Sequence, residues 1–326
     1  MAVMSRRDFV ASSLSIAAVS VSPASLADTF PNRPIRIVVP YAPGGGSDTV
    51  GPLIGQKLTE MAGMTTIIDN KAGASGLIGT DSVAKSPADG YTLLLTDAAH
   101  ATNAAVQPKL PFDPVKDFAP LTLIGSSPQL LVAHPSFPAD SLKELLALPR
   151  EQVRKYAVGT SGQGSASNLL YEMLKLKTGM ELVHVPYKGG GAALLDVIAG
   201  QIPLVLNSVP ACMPYIQTKR VKVLAIASST RDPKLPTVQT FSESVPGVLV
   251  SNWYGIMAPA KTPADVLQRL TGALFQVLDL PEVRTKLAEA YIDPMPRGPQ
   301  PFLQLLNAEV LQWRSVVSQT GFKMNN

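Results

Sequence analysis

Apolar and polar positions along the chain form short hydrophobic runs separated by segments with helical spacing. Ile35-Arg36-Ile37-Val38-Val39-Pro40 is rich in β-branched residues and too short for a helix, so it reads as a strand. The turn Tyr41-Ala42-Pro43-Gly44-Gly45-Gly46-Ser47 follows, and from about Asp48 to Met61 the apolar residues recur as on an amphipathic helix. A second strand, Thr65-Thr66-Ile67-Ile68-Asp69, leads through Lys71-Ala72-Gly73-Ala74-Ser75-Gly76 into a helix ending near Ala84. A third strand, Tyr91-Thr92-Leu93-Leu94-Leu95, stops at Thr96-Asp97. Strands alternating with helices predict a parallel sheet covered by helices.

The same order returns past the middle of the chain. Tyr156-Ala157-Val158 gives way to Gly159-Thr160-Ser161-Gly162-Gln163-Gly164-Ser165 and to a helix from about Ser167 to Thr178. Leu182-Val183-His184-Val185 runs into Pro186-Tyr187-Lys188-Gly189-Gly190-Gly191 and a helix from Ala192 to Ala199. Strand Pro203-Leu204-Val205-Leu206 then ends at Asn207-Ser208. Two α/β lobes with matching loop chemistry are therefore expected, residues 28–125 with 228–326 forming one and 126–227 the other. The apolar segments Leu121–Gly125 and Lys222–Ala227 flank the second repeat and are the expected crossings between lobes. Helices are expected from Thr262-Pro263, from near Pro281 and over about Pro301 to Ser318. Thr262 would be an N-cap with Pro263 at the first helical position. This tail would pack back on the first lobe, the alternative being a third, small helical domain.

Composition narrows the classes. The 326 residues are 46% hydrophobic and 16% charged, enough for a buried core and about two domains. Lys and Arg number 28 against 24 Asp and Glu, a net charge of +4. The basic residues are scattered, with nothing denser than Lys219-Arg220-Val221-Lys222, so no cationic stripe exists to track nucleic acid. The single cysteine, Cys212, excludes an intramolecular disulfide and a thiolate metal cluster. At the N-terminus Ser5-Arg6-Arg7-Asp8-Phe9 precedes a Ser/Ala/Val stretch and Ser25-Leu26-Ala27. This reads as a twin-arginine export signal cleaved after Ala27, with a periplasmic product. The stretch is shorter than the roughly 20 apolar residues of a membrane span.

A glycine-rich loop that opens a helix offers free backbone N–H groups and the positive end of the helix dipole to an anion. Here Gly44, Gly45 and Ser47, and in the second repeat Thr160, Ser161, Gly164, Ser165 and Ser167, add small residues and hydroxyls. Neither GxxxxGK[ST] nor GxGxxG is completed, which argues against a nucleotide. Two opposed helix starts would suit a dicarboxylate, each charge-assisted hydrogen bond contributing about 1.5 to 3 kcal/mol. Either loop alone could be merely a tight turn with Ser47 or Asp48 as N-cap.

Catalytic arrangements are thin. The three histidines, His100, His134 and His184, have no ligand partner at i+3 or i+4, and Ser161 has no GxSxG frame. His134 and His184 read as structural, whereas His100, just after Asp97, could line the cleft. Trp253 and Tyr254 read as core rather than as a stacking platform. No catalytic residue, metal or cofactor is expected. A secreted enzyme using Asp48, Asp97 or His100 is the alternative.

Six ordered segments carry a resemblance. They are Pro34 through Asp48, Asp69-Asn70-Lys71-Ala72-Gly73-Ala74-Ser75-Gly76, Asp89-Gly90-Tyr91-Thr92-Leu93-Leu94, Asp117-Phe118-Ala119-Pro120-Leu121, His184-Val185-Pro186-Tyr187-Lys188-Gly189-Gly190 and Ala258-Pro259-Ala260-Lys261-Thr262-Pro263. Together they resemble the periplasmic solute receptors of tripartite tricarboxylate transporters, the Bug receptors, over nearly all of the chain after the leader. The resemblance implies a two-lobed periplasmic binding protein of type II, a Venus flytrap with two hinge crossings. It implies closure on a small carboxylate through backbone groups and two bridging waters, and delivery to two integral membrane subunits. A sensor subunit feeding a membrane kinase is the variant reading, and a monomer is expected. The ligand-facing residues this implies are Tyr41, Ala42, Gly44, Gly45, Ser47, Asp48, Thr96, Asp97 and Ala98 in the first lobe. In the second they are Thr160, Ser161, Gly164, Ser165, Asn168, Tyr187, Lys188, Gly189 and Asn207. Asn168 and Asn207 depart from the family pattern, often His at the first position and Asp or Gly at the second. Neutral amides there imply a dicarboxylate or aromatic carboxylate rather than an amino acid.

Overall fold

The computed structural model describes residues 30–41, 46–107 and 109–320, with the backbone alone for Asp48 and Ser75. The export signal and its cleavage point lie outside the described residues, as do Ala42, Gly44 and Gly45. From Arg33 onward the chain is one compact unit.

The first βα repeat comprises β1 (Ile35–Val39), α1 (Gly46–Ala62), β2 (Thr66–Asn70), α2 (Leu77–Ala84), β3 (Thr92–Asp97) and α3 (Ala99–Val106). The long strand β4 (Phe118–Ala133) follows. After α4 (Leu142–Ala147) and α5 (Arg150–Val153), the second repeat comprises β5 (Ala157–Thr160), α6 (Ala166–Thr178), β6 (Val183–Pro186), α7 (Gly190–Ile198), β7 (Leu204–Ser208), α8 (Val209–Gln217) and β8 (Lys222–Ile226). The chain then returns through α9 (Phe241–Ser244) to β9 (Ser251–Pro259), α10 (Ala264–Asp279), α11 (Pro281–Glu289), β10 (Asp293–Arg297) and α12 (Pro299–Thr320).

The strands follow one rule twice. In the first sheet the order is β2-β1-β3-β9-β4, with β10 on the far side of β4. β1 runs parallel to its neighbours β2 and β3, and β9 is inserted antiparallel beside β3. In the second sheet the order is β6-β5-β7-β4-β8, with β4 as the antiparallel insertion. A two-lobed α/β architecture with an antiparallel strand after the third parallel one is the periplasmic binding protein fold expected from the sequence.

β4 belongs to both sheets. Its ladder with β9 runs from Phe118 opposite Pro259 to Pro128 opposite Ser251, and the next residue, Gln129, pairs with Ser208 of β7. Register shifts between Pro120 and Thr122, between Leu123 and Gly125, and between Leu131 and Val132 give the strand its bends. The crossings therefore sit elsewhere than expected. Leu121–Gly125 lies inside the first sheet and Lys222–Ile226 inside the second, and the chain passes over at Pro128-Gln129 and along the segment between β8 and β9.

The tail helices pack on the first sheet's elements, α10 on α1 and β4, and α12 on α3 and β4; α12 also reaches α6 of the second repeat. Thr262 is not the N-cap of α10. Pro263 occupies that position, and the Thr262 hydroxyl donates back to Pro259 O at 2.8 Å. One apolar core spans both sheets, running from Val38 and Leu94 through Trp253, Phe302, Leu306 and Trp313 to Leu169, Leu170 and Leu204.

Candidate functional site

β5 ends at Thr160, whose hydroxyl lies 2.8 Å from His184 Nε2 on β6. The loop then turns at Gly162 and Gly164, with φ of 125° and 73°, values that favour glycine. Ser165 is the N-cap of α6: its hydroxyl accepts from Asn168 N at 3.2 Å and donates to Gly162 O at 2.7 Å. Ser161 N donates to Ser167 Oγ at 3.0 Å. The Asn168 side-chain oxygen accepts from Gly164 N at 2.9 Å, so the amide cannot flip without losing that bond. Among the described residues its Nδ2 has no partner, although Asn168 is 0% exposed. A buried donor left unpaired costs about 1 to 3 kcal/mol and calls for an acceptor. This one sits in the first turn of a 13-residue helix, at the positive end of its dipole.

The other amide expected at the site is spent internally. Asn207 Nδ2 donates to Gly190 O at 2.9 Å, and its oxygen accepts from Ser208 N at 2.9 Å, tying the end of β7 to the start of α7. Tyr187 donates to Asp196 at 2.6 Å, and burial with that carboxylate pushes the phenol up to about 12. Lys188 is exposed, and open space surrounds the position a side chain would take at Gly189.

On the first sheet β3 ends at Asp97, whose Oδ1 accepts from Tyr41 Oη at 2.5 Å and from Ala99 N, the first residue of α3, at 2.9 Å. Burial raises the Asp97 carboxyl, while the bonds from Tyr41, Ala99 N and Asn252 pull it back down. Burial, then the charge of Asp97, raises the Tyr41 phenol well above its usual range and keeps it a donor. Ser47 is buried in the first turn of α1. Thr96 and Ala98 are buried too, Thr96 in the ladder opposite Gly255. The side chain of Asp48 is outside the described residues.

The two repeats meet at this point. The Thr102 hydroxyl on α3 donates to Gly164 O in the loop before α6. The structure therefore brings Tyr41, Asp97, Gly164, Ser165 and Asn168 into one hydrogen-bonded series along α3. His100 does not face it. On the other side of α3 it lies 2.7 Å from Pro114 O, packed against Phe112 and Phe118, and burial lowers its pKa to about 4. Trp253 and Tyr254 are core residues.

Sequence reasoning passed over Glu309, which α12 turns toward the core. It accepts from the buried Trp253 indole N–H at 2.8 Å, and burial raises its carboxyl to about 7. A carboxyl raised in the folded state stabilises the fold while protonated. That contribution is complete below the ordinary value of 4.5 and is lost as pH climbs through about 7. Glu309→Gln keeps an acceptor for the indole and removes the titration. Between about pH 5 and about pH 8 its melting temperature is expected to fall less than the wild type's. Melting curves at both pH values check this, and equal falls would refute it.

A family model described as the tripartite tricarboxylate transporter family receptor, TctC, matches residues 53–322. Protein BugT of Bordetella pertussis is 33% identical over 312 residues, covering 95% of this chain and 96% of that protein. The solved structure of R. palustris Rpa4515 with adipate is 34% identical with a TM-score of 0.84, covering 90% of this chain and 98% of that one. MatC (Rpa3494) from Rhodopseudomonas palustris with bound malate is 34% identical with a TM-score of 0.82, covering 88% of this chain and 100% of that one. With its doubled sheet order and its strand-end loops, this chain belongs to the tripartite tricarboxylate transporter receptor family.

Proposed function

We propose that this chain is a periplasmic receptor that captures a small dicarboxylate between its lobes and presents it to the two integral membrane subunits of a tripartite transporter. The observation that carries the ligand class is the unpaired, buried Asn168 amide at the first turn of α6, held by Gly164 against α3. It is a neutral donor that needs an oxygen acceptor, and a helix start favours an anionic one. The adipate and malate bound by the two related structures are both dicarboxylates, which supports the same class here. A handful of charge-assisted bonds, each contributing about 1.5 to 3 kcal/mol, can reach the roughly 8 kcal/mol of a micromolar complex after the ligand's lost freedom is offset.

In this reading the ligand lies among the loops after β1, β3, β5 and β6. Ser47 and Ser161 supply hydroxyls, Thr160 and Ser165 hold the loop before α6 in shape, and Asn207 keeps the α7 loop in place. The lobes rotate about β4 near Pro128 and the segment returning to β9. The leader is a twin-arginine signal cleaved after Ala27, and the mature receptor works as a monomer. Chemistry on the ligand finds no support in the buried, neutral His100.

Calorimetric titration with adipate and malate, with their monomethyl esters as controls, tests the reading. Micromolar binding of at least one diacid and much weaker binding of its ester are expected. Failure of all diacids, or mass spectrometry showing that the bound compound is released chemically altered, would overturn it.

A further inference from the structure

Capture of a ligand does not by itself require the contact between Thr102 and Gly164. Thr102 is 0% exposed, and its hydroxyl already has a local acceptor, Ala99 O at 3.1 Å, as threonines within helices commonly do. Its second acceptor, Gly164 O, lies 62 residues away in the loop of the other repeat. Gly164 is held from its other side by Asn168 Oδ1 at 2.9 Å. At the start of α3, Asp97 binds Ala99 N at 2.9 Å and Tyr41 Oη at 2.5 Å. Hydrogen bonds thus link Tyr41, just after β1, to the amide of Asn168, with α3 as the rigid member in the middle.

We infer that Thr102 is a positioning residue: it latches the first lobe to the ligand loop of the second and, through Gly164 and Asn168, fixes the direction of the donor offered to a dicarboxylate. The inference rests on the function proposed above and adds its closing contact. α3 follows β3 of the first sheet, and the loop follows β5 of the second, so lobe opening separates hydroxyl from carbonyl. A ligand held by Asn168 would then leave more slowly while the latch is made, and the effect falls on the dissociation rate.

The test compares Thr102→Val, which has the same shape without the donor, with Thr102→Ser, which keeps it. Thr102→Ala serves as a second donorless variant that cannot overfill the site. Kd and dissociation rates for adipate and malate are read by calorimetry and stopped-flow tryptophan fluorescence, alongside melting of the ligand-free proteins. Thr102→Val and Thr102→Ala are expected to raise Kd by about five- to twenty-fold through faster release, with Thr102→Ser within about two-fold of wild type. Unchanged release in both donorless variants, whether or not they melt earlier, would overturn the latch and leave the receptor reading standing. Wild type that binds no diacid would instead sink the function on which the latch rests.

Discussion

Asn168→Asp is expected to raise the Kd for adipate or malate by at least about 100-fold while leaving the fold in place. The retained carboxylate oxygen still accepts from Gly164 N, so the loop keeps its anchor. The Nδ2 donor, however, is replaced by a second acceptor. A dianionic ligand then loses a charge-assisted bond of about 1.5 to 3 kcal/mol and meets like charge. At about 4 Å and an effective dielectric constant of about 20, that repulsion costs about 4 kcal/mol. The start of α6 favours the new negative charge by about 0.3 to 1 kcal/mol, which is why the helix should persist. Calorimetry measures the affinity and circular dichroism the fold. Binding within about ten-fold of wild type would remove Asn168 from the ligand's contacts.

Phe302→Ala is expected to cost about 3 to 5 kcal/mol of stability. The ring is fully buried and meets Trp253 edge to face, with centroids 5.2 Å apart. It fills the space over Gly255, where a Cβ would overlap it, so the two positions are matched in volume. Removing the ring leaves a void beside the indole that binds Glu309, in the core shared by both repeats. Chemical denaturation gives the difference, and a loss below about 1 kcal/mol would show that the surroundings collapse into the space.

Much of this arrangement was legible in the chain. The β-branched runs and glycine turns placed β1, α1, β5 and α6 within a few residues, and the hydroxyls of Thr160 to Ser167 marked the loop that opens α6. α3 was not legible. Ala99-His100-Ala101-Thr102-Asn103-Ala104-Ala105-Val106 is buried nearly all round, so it lacks the polar stripe that gives a helix its period. β10 hid behind Pro294 and Pro296, which usually demote a strand, yet it lies at the edge of its sheet, where proline is tolerated. The apolar run read as a strand ends at Gly125, whereas the ladder with β9 carries β4 on through Ser126-Ser127-Pro128. The unpaired Asn168 nitrogen and the Thr102 contact depend on residues brought together from distant segments, and no local pattern encodes them.

β4 is an inner strand of both sheets, flanked by β9 and β10 over its first part and by β7 and β8 over its last five residues, so one unbroken backbone runs from one sheet into the other. A cut at the changeover would leave each sheet its own part of that strand and remove only the covalent tie between them.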